Sequence, residues 1–208
     1  MAVLAVFGIG MLGGTYLLPL YMQKGLGYTA IMAGSVFLPV GLIQGVLSTC
    51  SGFLTRYVKP LFIAVTGILV MTLSFYFASR FTLHTTHAQI MLVLYLRGFG
   101  MGLTFAPLND FSLMNLSQRD MASAAGISNS IKQLSDSVSI ALLTVILTGR
   151  TAFHSAQGGL SSAESYVAGI SDDFLFVTFV SLASALPFLW LLRPRRKAAS
   201  FKSEGTGT

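Results

Sequence analysis

Between Lys59 and Arg80 lie twenty residues, PLFIAVTGILVMTLSFYFAS, without one charged side chain. A helix rises 1.5 Å per residue, so about 20 apolar residues cross a hydrocarbon core of about 30 Å. Six stretches meet that criterion: Ala2–Met22, Thr29–Leu54, Pro60–Ser79, Gln89–Asn109, Met121–Thr148 and Asp173–Leu192. The segments between them are short and polar, as in QKGLGY, TRYVK, RFTLHTTHA and MNLSQRD, with one longer run, GRTAFHSAQGGLSSAESYVAGISDD. Membrane strands would need period-two alternation in segments of about 10 residues, and these runs are longer and continuously apolar. The expected fold is an all-α integral membrane bundle over residues 1–192, with a basic tail at 193–208.

Only 10% of the 208 residues are charged, where a soluble domain carries about 25%. A water-facing surface cannot be covered with so few. The net charge of +6 would suggest nucleic acid in a soluble protein; in a membrane chain it points to cytoplasmic loops and tail. Cys50 is the single cysteine, so no disulfide within the chain is possible. The first apolar run lacks a basic leading region and suits a span better than a signal peptide.

Lys and Arg set the expected orientation. With the tail in the cytoplasm, the inner side holds Arg193, Arg195, Arg196, Lys197, Lys202, Arg56, Lys59 and Arg119, eight of the 13 basic residues. The outer loops hold three, Lys24, Arg80 and Arg150, and Arg97 and Lys132 fall within spans. Both termini are then cytoplasmic. No strong internal repeat is visible.

The stretch SNSIKQLSDSVSIALLTVIL, 128–147, is the least expected. An ionisable group within a span costs about 2.5–3.5 kcal/mol on insertion scales, so it tends to face a cavity or a partner. Counted from Met121, Lys132 lies roughly 16 Å and Asp136 roughly 22 Å into the fifth span; Arg97 lies roughly 12 Å into the fourth, at a depth similar to Asp136. Asn129, Lys132, Gln133, Asp136 and Thr144 share one helix face, and Ile127, Ile131, Leu134, Val138 and Val145 the other. Two readings stay open. Lys132, Asp136 and Arg97 form a self-neutralised pin between helices, or they handle an ion or substrate.

Other residues carry weaker signals. His84 and His87 are three apart in an outer loop with no carboxylate or cysteine beside them, and His154 stands alone in another, so no metal site is expected. Asp110 reads as a solvated helix end. Pro19, Pro39, Pro107 and Pro187 kink spans without ending them. Gly98, Gly100 and Gly102 of RGFGMG permit close helix contact and make no nucleotide loop, because they follow no strand.

The segment GGTYLLPLYMQKGLGYTAIMAGSVFLPVGLIQGVLSTCSGFLTR resembles the major facilitator superfamily, closest to the fourteen-helix drug:proton antiporters, the EmrB/QacA-like proteins. LRGFGMGLTFAPLNDFSL and ASAAGISNSIKQLSDSVSIALLTVIL resemble two later spans of that family. The likeness runs from about Met11 to Leu192 and implies a C-terminal six-helix half, without the motifs of the N-terminal half. It implies that the first, second, fourth and fifth helices line a cavity while the third and sixth face lipid. Asp136, Lys132, Arg97, Gln133, Asn129 and Gln44 then become candidates for the substrate or proton pathway. GFLTRYVKP resembles the family's gate loop, with candidates Gly52, Arg56 and Lys59, but Thr55 stands where the family has Asp. KQLSDSVS replaces the glycine-rich RQLGGSIG of many members.

The resemblance implies proton-coupled efflux of drugs or amphipathic small molecules across the inner (plasma) membrane, without cofactor. The implied partners are lipid, substrate, the missing half or its equivalent, and a membrane-fusion protein. A split or truncated piece, inactive alone, is the first alternative. An intramembrane enzyme is the second, and all three His lying in loops speaks against it.

Overall fold

The computed structural model describes the backbone of residues 12–113, 121–156 and 161–192, and side chains at 12–105, 126–127, 129–156 and 161–184. The start of the first span, the Asp110 side chain, Arg119 and the basic tail lie outside the described residues. Within them the chain is helical and contains no strand. Helix α1, residues 12–20, closes in a π-helical turn, Tyr21–Gly25. Then follow α2 (Ala30–Leu54), α3 (Pro60–Ala78), α4 (His87–Leu113), α5 (Met121–Ala156) and α6 (Ser162–Leu192). Among the described residues, α2 to α6 each carry a stretch long and apolar enough to cross a membrane.

The starts of these helices are written in local chemistry. Thr29 caps α2 by accepting from the Met32 amide, and Pro60 occupies the first turn of α3, where its missing N–H costs nothing. Gln89 reaches back to the Thr86 amide at the start of α4. Ser161 and Glu164 form a reciprocal capping box, with Ser161 N–H to Glu164 Oε2 at 2.7 Å and Glu164 N–H to Ser161 Oγ at 3.3 Å. That box starts α6 eleven residues before the expected Asp173, while α5 runs on to Ala156. The segment read as a long outer loop is therefore mostly helix. At 36 residues, α5 is about 54 Å long, so it must tilt or protrude from a core of about 30 Å.

The core lies where α1, α3, α4 and α6 meet. Tyr21 stacks on Phe81, and Phe174 packs against both Phe81 and Phe75. Leu17, Leu18, Met71, Ile90 and Leu94 fill the space around them, fully buried. Glycines set the closest approaches. A Cβ on Gly100 would sit 2.8 Å from the Gly67 carbonyl, and one on Gly67 2.7 Å from that of Gly100, so α3 and α4 cross backbone to backbone. Gly98 and Gly102, on another side of α4, admit Val40 and Leu47 of α2. The close-contact reading of RGFGMG thus resolves into two faces.

One end of the bundle is tied by polar contacts. Tyr21 donates to the Thr82 carbonyl at 2.6 Å, and Ser171 of α6 to that of Phe81 at 2.9 Å. Deeper in, Thr72 of α3 donates to Ser181 of α6 at 3.0 Å.

Candidate functional site

Helix α5 packs on α6 and barely touches α4. Lys132, Asp136, Ser139, Leu143 and Leu147 follow one another by three or four residues and form a single stripe. Its far end is packed, with Ser139, Leu143 and Leu147 buried. Its near end is open: Lys132 is exposed and Asp136 half-buried. The stripe changes from apolar and buried to charged and more exposed along its length. Asn129 and Gln133, beside it, are exposed, and Thr144 on the same side exchanges a 2.9 Å hydrogen bond with Tyr16 of α1. On the opposite side Ile127, Leu134, Val138 and Val145 are 59–71% exposed and Ile131 is half-buried.

Of the two open readings, the self-neutralised cluster of Lys132, Asp136 and Arg97 is not formed among the described residues. Among the described residues the ion pairs are Arg150–Asp172 and His154–Asp172, and Lys132–Asp136 is not one of them. Arg97 points elsewhere. It is 4% exposed, and its Nη2 donates to Thr15 Oγ1 of α1. A Cβ on Gly14 would collide with the Arg97 side chain and come 2.8 Å from the Phe75 ring, so glycine there makes the space the guanidinium occupies. Similar depth on consecutive helices misled, because depth says nothing of which way a side chain turns around the helix. Arg97 ties α4 to α1.

Gln44 is half-buried on α2, and a Cβ on Gly102 would meet its carbonyl oxygen at 3.0 Å. In the gate loop, Thr55 donates to the Gly52 carbonyl at 2.7 Å, closing the end of its own helix. Arg56 is exposed and lies over the Phe53 ring at 5.7 Å, and Lys59 is exposed. A Cβ on Gly52 would meet nothing within 4 Å, so no packing within the described residues demands glycine there.

A polar group missed by the sequence reading joins α5 to α6. His154 Nε2 lies 2.9 Å from Asp172 Oδ2, and Arg150 Nε 3.7 Å from the same oxygen. His154 is therefore a helix residue with a carboxylate partner, which corrects its placement alone in a loop. Arg150 and His154 are four apart, the spacing that puts both on one helix face. The capping box S-x-x-E at Ser161–Glu164 was the signal that α6 begins early enough to bring Asp172 alongside.

The sequence profile of the Major Facilitator Superfamily matches residues 1–140. Among similar proteins, the MFS-type transporter YhcA of Bacillus subtilis is 32% identical over 73% of this chain and 29% of its own length. The lincomycin resistance protein LmrB of Listeria innocua is 25% identical over 86% of the chain and 39% of its own length. The multidrug export protein EmrB of Haemophilus influenzae is 31% identical over 70% and 29% respectively. The chain thus spans well under half the length of these relatives. The profile match, the apolar helices and the all-helical bundle agree: this chain is a multi-pass membrane protein that belongs to the Major Facilitator Superfamily.

Proposed function

We propose that the chain is the C-terminal half of a secondary transporter that exports drugs or other amphipathic small molecules, driven by proton influx. The observation that carries this reading is the open near end of the α5 stripe. A cation and a carboxylate on an uncovered face inside lipid are costly; beside a water-filled path between two halves they are solvated. The relatives named as export and resistance proteins support the substrate class, and their greater length supports a second half. Asp136 and Lys132 are the pathway candidates, with Gln133 and Asn129 beside them and Gln44 on α2. Gly52, Arg56 and Lys59 form a gate loop that meets the other half. Arg97 holds α1 in place rather than touching the path. The membrane is the inner (plasma) membrane, with the C-terminus cytoplasmic; lipid is one partner and a membrane-fusion protein another.

The test is Asp136→Asn in a complete two-half transporter. Export of a lipophilic cation should fall while protein level holds. Export restored by adding Lys132→Gln would assign Asp136 a charge-balancing role only, and unchanged export in the single variant would remove it from the pathway. Impermeant thiol labelling of cysteines placed at His84 and Lys197, in a Cys50-free background, checks the orientation: opposite sides are expected, and the same side would overturn it.

A further inference from the structure

Along the seam between α5 and α6, buried Asp173 and Ser165 and the hydroxyl oxygen of half-buried Thr151 have no hydrogen-bond partner among the described residues. Ser165, Gly169 and Asp173 follow at four-residue steps on α6. A Cβ on Gly169 would sit 3.1 Å from the Thr151 amide, so Thr151 stands against that line. Asp173 is 0% exposed, and neither of its carboxyl oxygens has a partner among the described residues. Its neighbours on α6 include Ile170, Phe174 and Val177, all fully buried. A charged carboxylate in such surroundings loses its water and gains no hydrogen bond in return. A neutral carboxyl loses far less, and its O–H is a donor.

The way out from Asp173 is graded. Asp172 follows it in sequence and has a side chain 29% exposed; His154 is 22% exposed and Arg150 54%. The groups acting on Asp173 are Asp172 and Arg150, and Asp173 itself acts on Tyr166. From α1, Tyr16 acts on Tyr166, and Lys24 lies 5.7 Å from the centre of its ring. Helix α3, packed on another side of α6, contains no charged residue. Among the described residues no three His, Cys, Asp or Glu side chains converge as a metal site, which leaves the proton as the ligand that suits a lone carboxyl.

We propose that Asp173 is a buried proton-binding site of this half, loaded and unloaded through Asp172 and His154 at the bundle end where α5 meets α6. The transfer is a proton alone: no acceptor among the described residues lies within hydrogen-bond distance of Asp173, so a water entering the seam takes the proton as the Asp173 O–H breaks and passes its own proton to an Asp172 oxygen or a His154 ring nitrogen, leaving Asp173 as carboxylate. The proposal deepens the transport reading on which it rests, since it names where this half takes up a proton.

Infrared difference spectroscopy on the full chain in lipid nanodiscs, titrated between about pH 5 and 8 where histidine changes charge, tests it. The wild type should show the carbonyl band of a protonated carboxyl. Asp173→Asn, a neutral variant of the same shape, should lose that band, and Asp136→Asn should keep it. His154→Gln should slow hydrogen–deuterium exchange at the band on the order of a hundredfold, the low end of what a positioned acid–base group contributes. A band that survives in Asp173→Asn, or is absent from a folded wild type, overturns the site. Unchanged exchange in His154→Gln overturns the route. A complete transporter that exports nothing while this band persists would count against the transport reading and leave the Asp173 site standing.

Discussion

Helices α2 and α3 are both long and apolar, yet they live in different surroundings. In the most apolar window of α3, 56% is buried inside the protein; in that of α2 it is 17%. The same contrast separates α6, at 50%, from α5, at 17%. Hydropathy alone does not distinguish them, for α2 exceeds α6 in mean hydropathy, 1.9 against 1.5. Lipid tails are as apolar as Leu, so no hydrophobic force drives helices together within the membrane. What gathers α3, α4 and α6 is fit: glycine against backbone at Gly67 and Gly100, rings around Phe174, and the Thr72–Ser181 hydrogen bond. Helices α2 and α5 each keep one packed edge and leave Leu42, Val46, Val138 and Val145 64–72% exposed.

The third and sixth helices, expected to face lipid, each have one exposed and one buried side. Leu69, Leu73 and Tyr76 of α3 and Phe179 and Leu182 of α6 are exposed, while Phe75, Met71, Phe174 and Val177 are fully buried. Apolar swaps should be tolerated at the first group and not at the second.

The contrast breaks most sharply at the glycines. Gly100→Ala would put a methyl carbon 2.8 Å from backbone and should cost about 1–3 kcal/mol, as overpacking does. Gly45→Ala, with nothing within 4 Å of its Cβ, should stabilise α2 by up to about 1 kcal/mol through helix propensity. Unfolding of the purified chain in mixed micelles measures both, and equal losses would erase the distinction between packed and open helices. A smaller effect comes from Ser181→Ala, which removes the acceptor for Thr72. It should cost about 0.6 kcal/mol, the average for interhelical hydrogen bonds in membranes.

The smallest effect sharpens the open side. Asp136→Asn in a complete two-half transporter, where the proposed path solvates the carboxylate, should change stability by less than about 0.5 kcal/mol, like a surface substitution, because Asp136 is half-buried and pairs with neither Lys132 nor Arg97. A buried ion pair broken at one partner would cost about 3–5 kcal/mol, so the same unfolding measurement separates an open path from an internal pin.

Spans were legible because a run such as Pro60–Ser79 admits few folds. The two faces of α5 were legible because its polar and apolar residues keep helical spacing. Partner choice was not. Arg97 turns to Thr15 because Gly14 leaves room, and a glycine in an apolar run does not announce which side chain will fill its space. His154 and Asp172 meet because α6 starts at a capping box inside what hydropathy reads as loop. Polar residues within a long helix end lower the hydropathy that marks a span, so the helix outruns its apolar signal.

The central claim is that the bare faces of α2 and α5 await the other half of a transporter. Spin labels at Val46 and Val138, with Leu73 and Phe179 as references, report collision with oxygen dissolved in the lipid. In the chain alone, in nanodiscs, all four positions should be accessible. When a complementary N-terminal half is co-expressed and co-purified, accessibility at Val46 and Val138 should drop several-fold while Leu73 and Phe179 stay unchanged. Equal accessibility at all four positions with the complementary half bound would contradict the account.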